Sequence, residues 1–341
     1  MPKTVLVTGA TGYIAKHLVL QLLEAGHRVV GSARSAERES ELRDALTPHL
    51  ADSALLGNLR VVPLDLTKDD GWAEAMDGVD VLMHTASPFP ISQPRDEDDL
   101  IRPAVDGALR AVQAAQATGV TRVIMTSSSA AVMSTDLPAG RNTYDERDWT
   151  DLAHPSATAY VKSKTMAERA VWDWQAEAET EMHITMINPT FVQGAPLDAR
   201  FGTSVQLIER LLRGQDPMVP RVGFPCVDVR DVALMHLRAM ERPESIGKRY
   251  IGVDRFLWLR DMALILKAQH PNRKISTRQA PNPLVRFLSL FDPSIRTILP
   301  NLGRRDHISG AAAEADLGLN FRNVEIAIRE TGAFLVEHDL V

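Results

Sequence analysis

Cysteine is almost missing from this chain of 341 residues, which contains Cys226 alone. One cysteine cannot form an internal disulfide bond or a thiolate metal cluster. The 10 histidines are scattered and show no metal-ligand spacing. We therefore expect neither a disulfide framework nor a metal site, and we interpret Cys226 and the histidines as structural.

An excess of positive charge and long apolar runs are missing too. The net charge of −6 provides no basic field that would attract nucleic acid or an anionic membrane. The best candidate for a membrane span, 14–30, is broken by charged residues such as Lys16 and Glu24, whereas a bilayer span needs roughly 20 apolar residues. The first residues show no signal pattern. We expect a cytoplasmic enzyme, a monomer or homodimer, that binds neither nucleic acid nor membranes.

Short β-branched runs alternate with longer amphipathic stretches over residues 1–190. This alternation is typical of βα units, whose parallel strands are apolar throughout because helices cover both faces of the sheet. It predicts helices most clearly at 12–25 and 98–118, and strands at 4–8, 28–32, 59–64, 79–85, 122–127 and 183–188. The expected fold class is α/β, a Rossmann-type doubly wound parallel sheet with a smaller C-terminal substrate lobe.

The pattern changes after Pro189. Prolines and glycines become frequent over 194–225, and a predicted helix at 228–240 and a predicted strand at 249–253 follow. We expect residues 1–190, together with about 226–255 returning to the sheet, to form a dinucleotide-binding domain. Residues of about 191–225 and 256–341 are then expected to form the substrate-binding lobe.

A glycine-rich turn follows the first predicted strand, in the segment TVLVTGATGYIA. Gly9 permits a tight turn, and Gly12 lets the backbone approach a pyrophosphate at the positive end of the following helix. Ala15, the third small residue, still allows the helix to pack closely on the strand. The alternative is an ordinary strand-to-helix turn. The pattern favours a dinucleotide phosphate site, with contacts predicted from Gly9, Thr11, Gly12, Tyr13 and Ile14.

The end of the second predicted strand bears on the choice of cofactor. The segment VVGSARSAER has no carboxylate at the strand end for the 2′-hydroxyl of NAD, whereas Arg34 and Arg38 suit the 2′-phosphate of NADP. The alternative is that both arginines belong to a solvated helix start. We expect NADP(H) as the preferred cofactor, with NAD(H) as the alternative. Further cofactor contacts are predicted at strand ends, from Asp65, Leu66, Thr85, Ala86, Ser87 and Thr126.

Tyr160 and Lys164 are four residues apart in AYVKSKTMAERA, which places them on one face of a predicted helix. A lysine cation beside a phenol lowers the pKa of the phenol, so that Tyr160 could exchange a proton near neutral pH. Ser127, Ser128 and Ser129 end the fifth predicted strand, at the sheet edge where ligands bind. Their alternative role is helix capping. The combination predicts that Tyr160 is a proton donor toward a carbonyl oxygen.

An ordered set of motifs spans most of the chain: TGATGYIA (8–15), HTASPFP (84–90), VIMTSSSAAV (123–132), YDERDW (144–149), YVKSK (160–164), INPTFVQG (187–194) and VDVRDVALMHL (227–237). The set resembles the extended short-chain dehydrogenases/reductases and, within them, the dihydroflavonol-4-reductase-like aldehyde and ketone reductases. By position, the resemblance implies that Ser128 is the catalytic serine, Tyr160 the proton donor and Lys164 the residue that binds the nicotinamide ribose. It also implies cofactor contacts from Pro189, Thr190 and Val192.

Two positions depart from the family pattern. Met133 stands where plant dihydroflavonol reductases have an asparagine that contacts the flavonoid. Asp106 stands where many extended members have an asparagine behind the active site. The resemblance therefore does not extend to a flavonoid substrate, and the path of the proton is left unassigned.

The expected activity is the NADPH-dependent reduction of aldehydes or ketones, reversible as alcohol oxidation. Loop residues predict an apolar or aromatic substrate, unless several of them belong to the core; they are Phe89, Met133, Phe191, Phe201 and Phe224. One alternative is a nucleotide-sugar epimerase or dehydratase, but Phe224 occupies the place where those enzymes have a diphosphate-binding arginine. Another is a non-catalytic NADP-sensing protein, against which the presence of both Tyr160 and Lys164 argues.

Overall fold

The computed structural model describes residues 1–35, 37–87, 96–178, 180–296 and 298–341. The strands of this part of the chain are β1 (Thr4–Thr8), β2 (Arg28–Ala33), β3 (Leu59–Pro63), β4 (Val81–His84), β5 (Arg122–Thr126), β6 (His183–Pro189), β7 (Phe191–Gln193), β8 (Gly223–Asp228), β9 (Lys248–Gly252) and β10 (Arg255–Trp258). Its helices are α1 (Tyr13–Glu24), α2 (Glu37–Leu46), α3 (Trp72–Met76), α4 (Asp98–Ala117), α5 (Ala159–Glu177), α6 (Thr203–Arg213), α7 (Val229–Glu241), α8 (Leu259–Gln269), α9 (Asn282–Leu288), α10 (Pro293–Arg296), α11 (Ala311–Leu317) and α12 (Val324–Glu337).

Seven strands form one parallel sheet in the order β3-β2-β1-β4-β5-β6-β9. The central strand β1 is apolar throughout its middle, and Val5, Leu6 and Val7 are fully buried. Both faces are covered, because Val5 and Val7 pack in a cluster with α1 and α7 while Leu6 packs in a cluster with α4 and α5. The predicted Rossmann-type doubly wound fold is confirmed.

The order of the strands reverses between β1 and β4. The chain extends the sheet through β2 and β3 on one side of β1, and through β4, β5 and β6 on the other. The connections that leave the carboxyl ends of β1 and β4 therefore diverge, and a crevice forms between them. The glycine turn, Ser87 and the serines 127–129 all lie at this edge of the sheet.

A second sheet has the order β10-β8-β7, with β7 parallel and β10 antiparallel to β8. It shares a core with α6, α8 and α12, which contribute Val205, Leu266 and Ile328. The segments α7 and β9 return to the large sheet as expected, whereas β8 pairs in the second sheet. Ala313 and Leu317 of α11 also pack in the core of the large sheet. The division into two domains stays a prediction.

Cys226 is fully buried in β8, and burial raises the pKa of its thiol, so the residue is unreactive at neutral pH. Among the described residues, no three histidine, cysteine or acidic side chains are grouped so as to hold a metal ion. Within the same ranges, no helix has the length and apolarity that crossing a bilayer would require.

Candidate active site

The turn between β1 and α1 is a tight backbone cradle. Gly9 has a φ of 63°, and a Cβ at this position would lie 2.9 Å from the Cβ of Ala86. A Cβ on Gly12 would lie 3.1 Å from the carbonyl oxygen of Gly9. No side chain of the described residues caps the start of α1, so the N–H groups of its first turn can bind an anion. Tyr13 anchors the helix start, because its Oη donates to the carbonyl oxygen of Gly194 over 2.7 Å.

Arg38, near the start of α2, reaches this turn. Its Nη2 donates to Oγ1 of Thr11 over 3.0 Å. One carboxylate oxygen of Glu41 lies 3.4 Å from Nε of Arg38 and 3.0 Å from Nη1 of Arg200. Arg34, the other residue predicted for the 2′-phosphate, is exposed directly after β2. Arg38 and Arg200 therefore lie beside the glycine turn, where they line a cleft of about 630 Å³.

The ends of β3 and β4 frame the next part of the crevice. The backbone N–H groups of Thr85 and Ala86 donate to Oγ1 of Thr8 over 3.1 and 3.2 Å, which ties the end of β4 to β1. Hydrogen bonds from Thr67 lower the pKa of Asp65, so this residue is a carboxylate at neutral pH. A narrow pocket at the same edge is lined by residues that include Leu66, Ala86, Ser87, Thr126 and Lys164.

Ser128 and Tyr160 meet at the edge of a second cleft. Ser128 follows β5, and its Oγ accepts a hydrogen bond of 3.1 Å from the backbone N–H of Ala130. Tyr160 is the second residue of α5, a helix whose N-cap Thr158 accepts a hydrogen bond from the backbone N–H of Val161. Both residues line this cleft, and the Ser128 side chain interacts with the phenol and lowers the pKa of Tyr160 in part. The structure thus brings together two residues that are far apart in the sequence.

Lys164 lies one helical turn after Tyr160. Its Nζ is 5.8 Å from the centroid of the Tyr160 ring and donates to Oγ of Ser87 over 2.8 Å. Burial lowers the pKa of Lys164 to about 8. Burial also raises the pKa of Tyr160, and the hydrogen bond with Ser128 opposes this rise only in part. The expected net lowering of the pKa of Tyr160 is wrong for this structure, because the desolvation of the phenolate outweighs the interaction with Ser128.

A buried ion pair supports the serine segment from behind. Glu168, one further turn along α5, is 1% exposed, and its Oε1 accepts a hydrogen bond of 2.6 Å from Nε of Arg249. Its Oε2 accepts hydrogen bonds from Oγ of Ser127 and, over 2.7 Å, from Nδ2 of Asn188. Asn188 also donates to the backbone oxygen of Ser128 over 3.1 Å. The network joins α5, β6 and β9 and holds the backbone at Ser128.

Several residues predicted to contact the cofactor use their side chains within the protein. Oγ1 of Thr126 is hydrogen-bonded to Nε2 of His236 at 2.7 Å. Oγ1 of Thr190 donates to the carbonyl oxygen of Gly252 over 2.7 Å. The apolar members of this predicted set are Ile14, Pro189 and Val192, and Ile14 and Val192 pack in one cluster. Cofactor contacts from all of these residues stay predictions.

The second cleft has a volume of about 320 Å³ and opens beside Ser128 and Tyr160. Met133, Phe191 and Phe224 line it, as expected for substrate contacts. The rings of Phe191 and Phe224 are stacked with their centroids 4.6 Å apart. One wall of the cleft is therefore apolar and aromatic.

Phe201, which the sequence predicts to contact the substrate, lines the cleft beside Gly12 and Arg38 instead, because it lies just before α6. Phe89 lies outside the described residues.

Comparison with known proteins identifies the family of this chain. A model of the NAD dependent epimerase/dehydratase family matches residues 5–251. The chain belongs to this family. Among its relatives, the ketoreductase azaE of Aspergillus niger is 33% identical over 315 residues, which cover 86% of this chain and 91% of that protein. An anthocyanidin reductase of Vitis vinifera is 31% identical over 289 residues, which cover 81% of this chain and 83% of that protein.

A solved reductase shares the fold of this chain. The crystal structure of yeast methylglyoxal/isovaleraldehyde reductase Gre2 complexed with NADPH matches with a TM-score of 0.80 at 27% identity, over 99% of this chain and 100% of that chain. These findings confirm the predicted resemblance to the extended short-chain dehydrogenases/reductases of the dihydroflavonol-4-reductase-like type.

The family motifs do not indicate the polar wall of the second cleft. Asn301, Arg304 and Asp306 line that wall, and all three lie beyond the residues that match the epimerase/dehydratase family. Arg200, which lines the cleft beside the glycine turn, is also absent from the prediction. One sequence signal could have indicated a ligand contact from Arg200. It is a basic residue in the loop that follows β7, and β7 begins at the edge of the sheet where ligands bind. No comparable signal surrounds Arg304.

Proposed function

We propose that this protein reduces aldehydes and ketones with NADPH and, in reverse, oxidises the corresponding alcohols. The observation that carries this proposal is that Ser128 and Tyr160 line the second cleft together, with Lys164 one helical turn after Tyr160 and its Nζ 5.8 Å from the centroid of the Tyr160 ring. The protein is an NADP(H)-dependent oxidoreductase, like the relatives that are named NADPH-dependent reductases. The roles of the three residues and the nature of the substrate belong to the proposal.

The residues at the crevice fit a nicotinamide dinucleotide. The close approach of Gly9 to Ala86 leaves a cradle of backbone N–H groups for the pyrophosphate. Arg34 and Arg38 would bind the 2′-phosphate, and Lys164 would bind the nicotinamide ribose. When bound, NADPH supplies the hydride that reduces the carbonyl carbon.

Tyr160 is the general acid of the proposed reaction. Because its pKa is raised, the phenol is protonated at neutral pH and Oη can donate a proton to a carbonyl oxygen in the cleft. Oγ of Ser128 accepts from the N–H of Ala130, and its own hydrogen, which interacts with Tyr160 in the structure, would turn to the same carbonyl oxygen when a substrate binds. Lys164, a cation below pH 8 or so, stabilises the phenolate that forms.

The aromatic wall supports a substrate with an apolar or aromatic body. The stacked rings of Phe191 and Phe224, with Met133, provide a surface against which such a body excludes water. Aryl ketones should therefore be reduced with higher kcat/KM than glyceraldehyde or free sugars, since each buried methylene contributes about 0.8 kcal/mol. A higher kcat/KM for glyceraldehyde than for an aryl ketone would contradict the apolar substrate and leave the reductase activity intact.

The variant Tyr160→Phe tests the proposed chemistry. Removal of the general acid should lower turnover of an aryl ketone by about 10² to 10⁴, while the Kd for NADPH, measured by fluorescence titration, should change little. Tyr250→Phe is the matched control, because this buried phenol donates to Asp316 over 2.9 Å, in the core around the large sheet. Turnover of Tyr160→Phe close to that of the control would remove Tyr160 from the mechanism.

The same assay separates the alternatives. Stoichiometric consumption of NADPH with a carbonyl compound indicates a reductase. Retention of bound cofactor without net consumption, together with conversion of a nucleotide sugar, would indicate an epimerase or dehydratase. Binding of NADPH without turnover of any substrate would indicate a sensing protein.

A further inference from the structure

We propose that Arg304 recognises the substrate in the second cleft, at the wall that Arg304 forms with Asn301 and Asp306. The site then selects neutral carbonyl compounds that carry a second, uncharged oxygen as a hydrogen-bond acceptor. This inference rests on the proposed reductase function, because it concerns the cleft beside Ser128 and Tyr160. It adds a polar recognition point to a cleft that the sequence predicts to be apolar.

The guanidinium group of Arg304 is held in one orientation. Its Nε donates to Oδ1 of Asp306 over 2.6 Å, and its Nη2 donates to the carbonyl oxygen of Met133 over 3.1 Å and to Oη of Tyr144 over 2.9 Å. Tyr144 in turn donates its own proton to the carbonyl oxygen of Thr135 over 2.7 Å, so its oxygen is an acceptor for Arg304. An arginine fixed in this way is preorganised for a ligand and loses little side-chain entropy on binding.

Counting the donors of Arg304 shows what is left for a ligand. A guanidinium group has five N–H donors. The three contacts use Nε–H and both hydrogens of Nη2, whereas Nη1 donates no hydrogen bond to any residue in the described part of the chain. The side chain is 26% exposed and lines the cleft. Two N–H donors are therefore available to a substrate that occupies it.

The charges at the cleft favour a neutral acceptor over an anion. Asp306 also lines the cleft and compensates the charge of Arg304 at 2.6 Å. The other described residues that line it are uncharged at neutral pH. A carboxylate substrate would lose its hydration and face Asp306 without meeting a net positive charge. The oxygen of a ketone, ether or hydroxyl group can accept from Nη1 without that cost.

A matched set of ketones tests the selection. The probes are 4′-methoxyacetophenone and 3′-methoxyacetophenone, each paired with the ethyl analogue of nearly equal shape, and 4-acetylbenzoate as the anion. At least one methoxy compound should be preferred over its ethyl partner by about 10-fold in kcat/KM, the effect expected of a hydrogen bond from a charged donor. Arg304→Met should bring this ratio close to one. An unchanged ratio in Arg304→Met, or no preference in the wild type, would overturn the proposal.

A second variant covers the case in which Arg304→Met fails to fold, since Arg304 also binds the segment around Met133. Asp306→Asn keeps Arg304 and removes the compensating charge, so 4-acetylbenzoate should gain about 10-fold in kcat/KM relative to the ethyl ketone. The absence of this gain would overturn the proposal. Arg305→Met is the matched control, because this exposed neighbour stacks near Phe256 at 5.5 Å and should leave every ratio unchanged. If no ketone of the set consumes NADPH, the proposed function fails instead.

Discussion

Glu168→Gln should destabilise the protein strongly, because it breaks the buried ion pair behind Ser128. The side chains of Glu168 and Arg249 are 0% and 8% exposed. Arg249 also stacks over the ring of Trp149 at 3.8 Å and donates to two backbone carbonyl groups of the segment 146–148. The cation therefore cannot move into water when its partner loses its charge. Removal of one partner from such a pair costs about 3–5 kcal/mol of the free energy of unfolding.

Urea unfolding, followed by circular dichroism, measures this cost directly. For a chain of this size the same loss corresponds to a decrease in Tm of roughly 4–7 °C. Lys162→Met is the matched control on the same helix, since it breaks an ion pair of 2.7 Å between Lys162 and Glu97 whose side chains are 26% and 49% exposed. The control should lose less than about 1 kcal/mol. If Glu168→Gln is no less stable than the control, the buried pair does not support the fold in the way we infer.

Three further outcomes are expected. Arg34→Asp should weaken NADPH relative to NADH by about 1.5–3 kcal/mol, the contribution of a charge-assisted hydrogen bond; an unchanged ratio of the two Kd values would place Arg34 outside the cofactor site. Because burial lowers the pKa of Lys164 to about 8, kcat/KM for reduction should fall above pH 8 as the cation is lost, and a profile that is flat to pH 10 would contradict its cationic role. Acid should destabilise the fold, since burial lowers the pKa of three histidines from 6.5 and only the unfolded chain takes up their protons as the pH falls from 6.5 toward 4. The pKa values of these histidines are about 4 for His17, about 3 for His84 and about 4 for His236. Each such proton lowers the free energy of unfolding by about 1.4 kcal/mol per pH unit. Equal urea midpoints at pH 7 and pH 5 would refute this.

The sequence by itself determined the large sheet and the parts of the site that follow its strands. The strands β1 to β6 and β9 begin and end within two residues of their predicted bounds, because a strand covered on both faces must be apolar along its length. The glycine turn, Ser87 and Ser128 were predictable for the same reason, since parallel strands all present their carboxyl ends at one edge. The spacing of Tyr160 and Lys164 on one helix likewise needs no tertiary information.

Only the tertiary structure decided which distant segments meet at that edge. The strand β8 pairs with β7 in the second sheet, a contact between segments that no local pattern links. Phe201 lines the cleft beside the glycine turn, while Arg304 reaches the second cleft, beside Ser128 and Tyr160, from near the end of the chain. The pKa of Tyr160 depends on how deeply packing buries the phenol, a quantity that the four-residue spacing to Lys164 does not contain. Periodicity reports the surroundings of a residue within its own element, whereas contacts across the fold depend on how the elements pack.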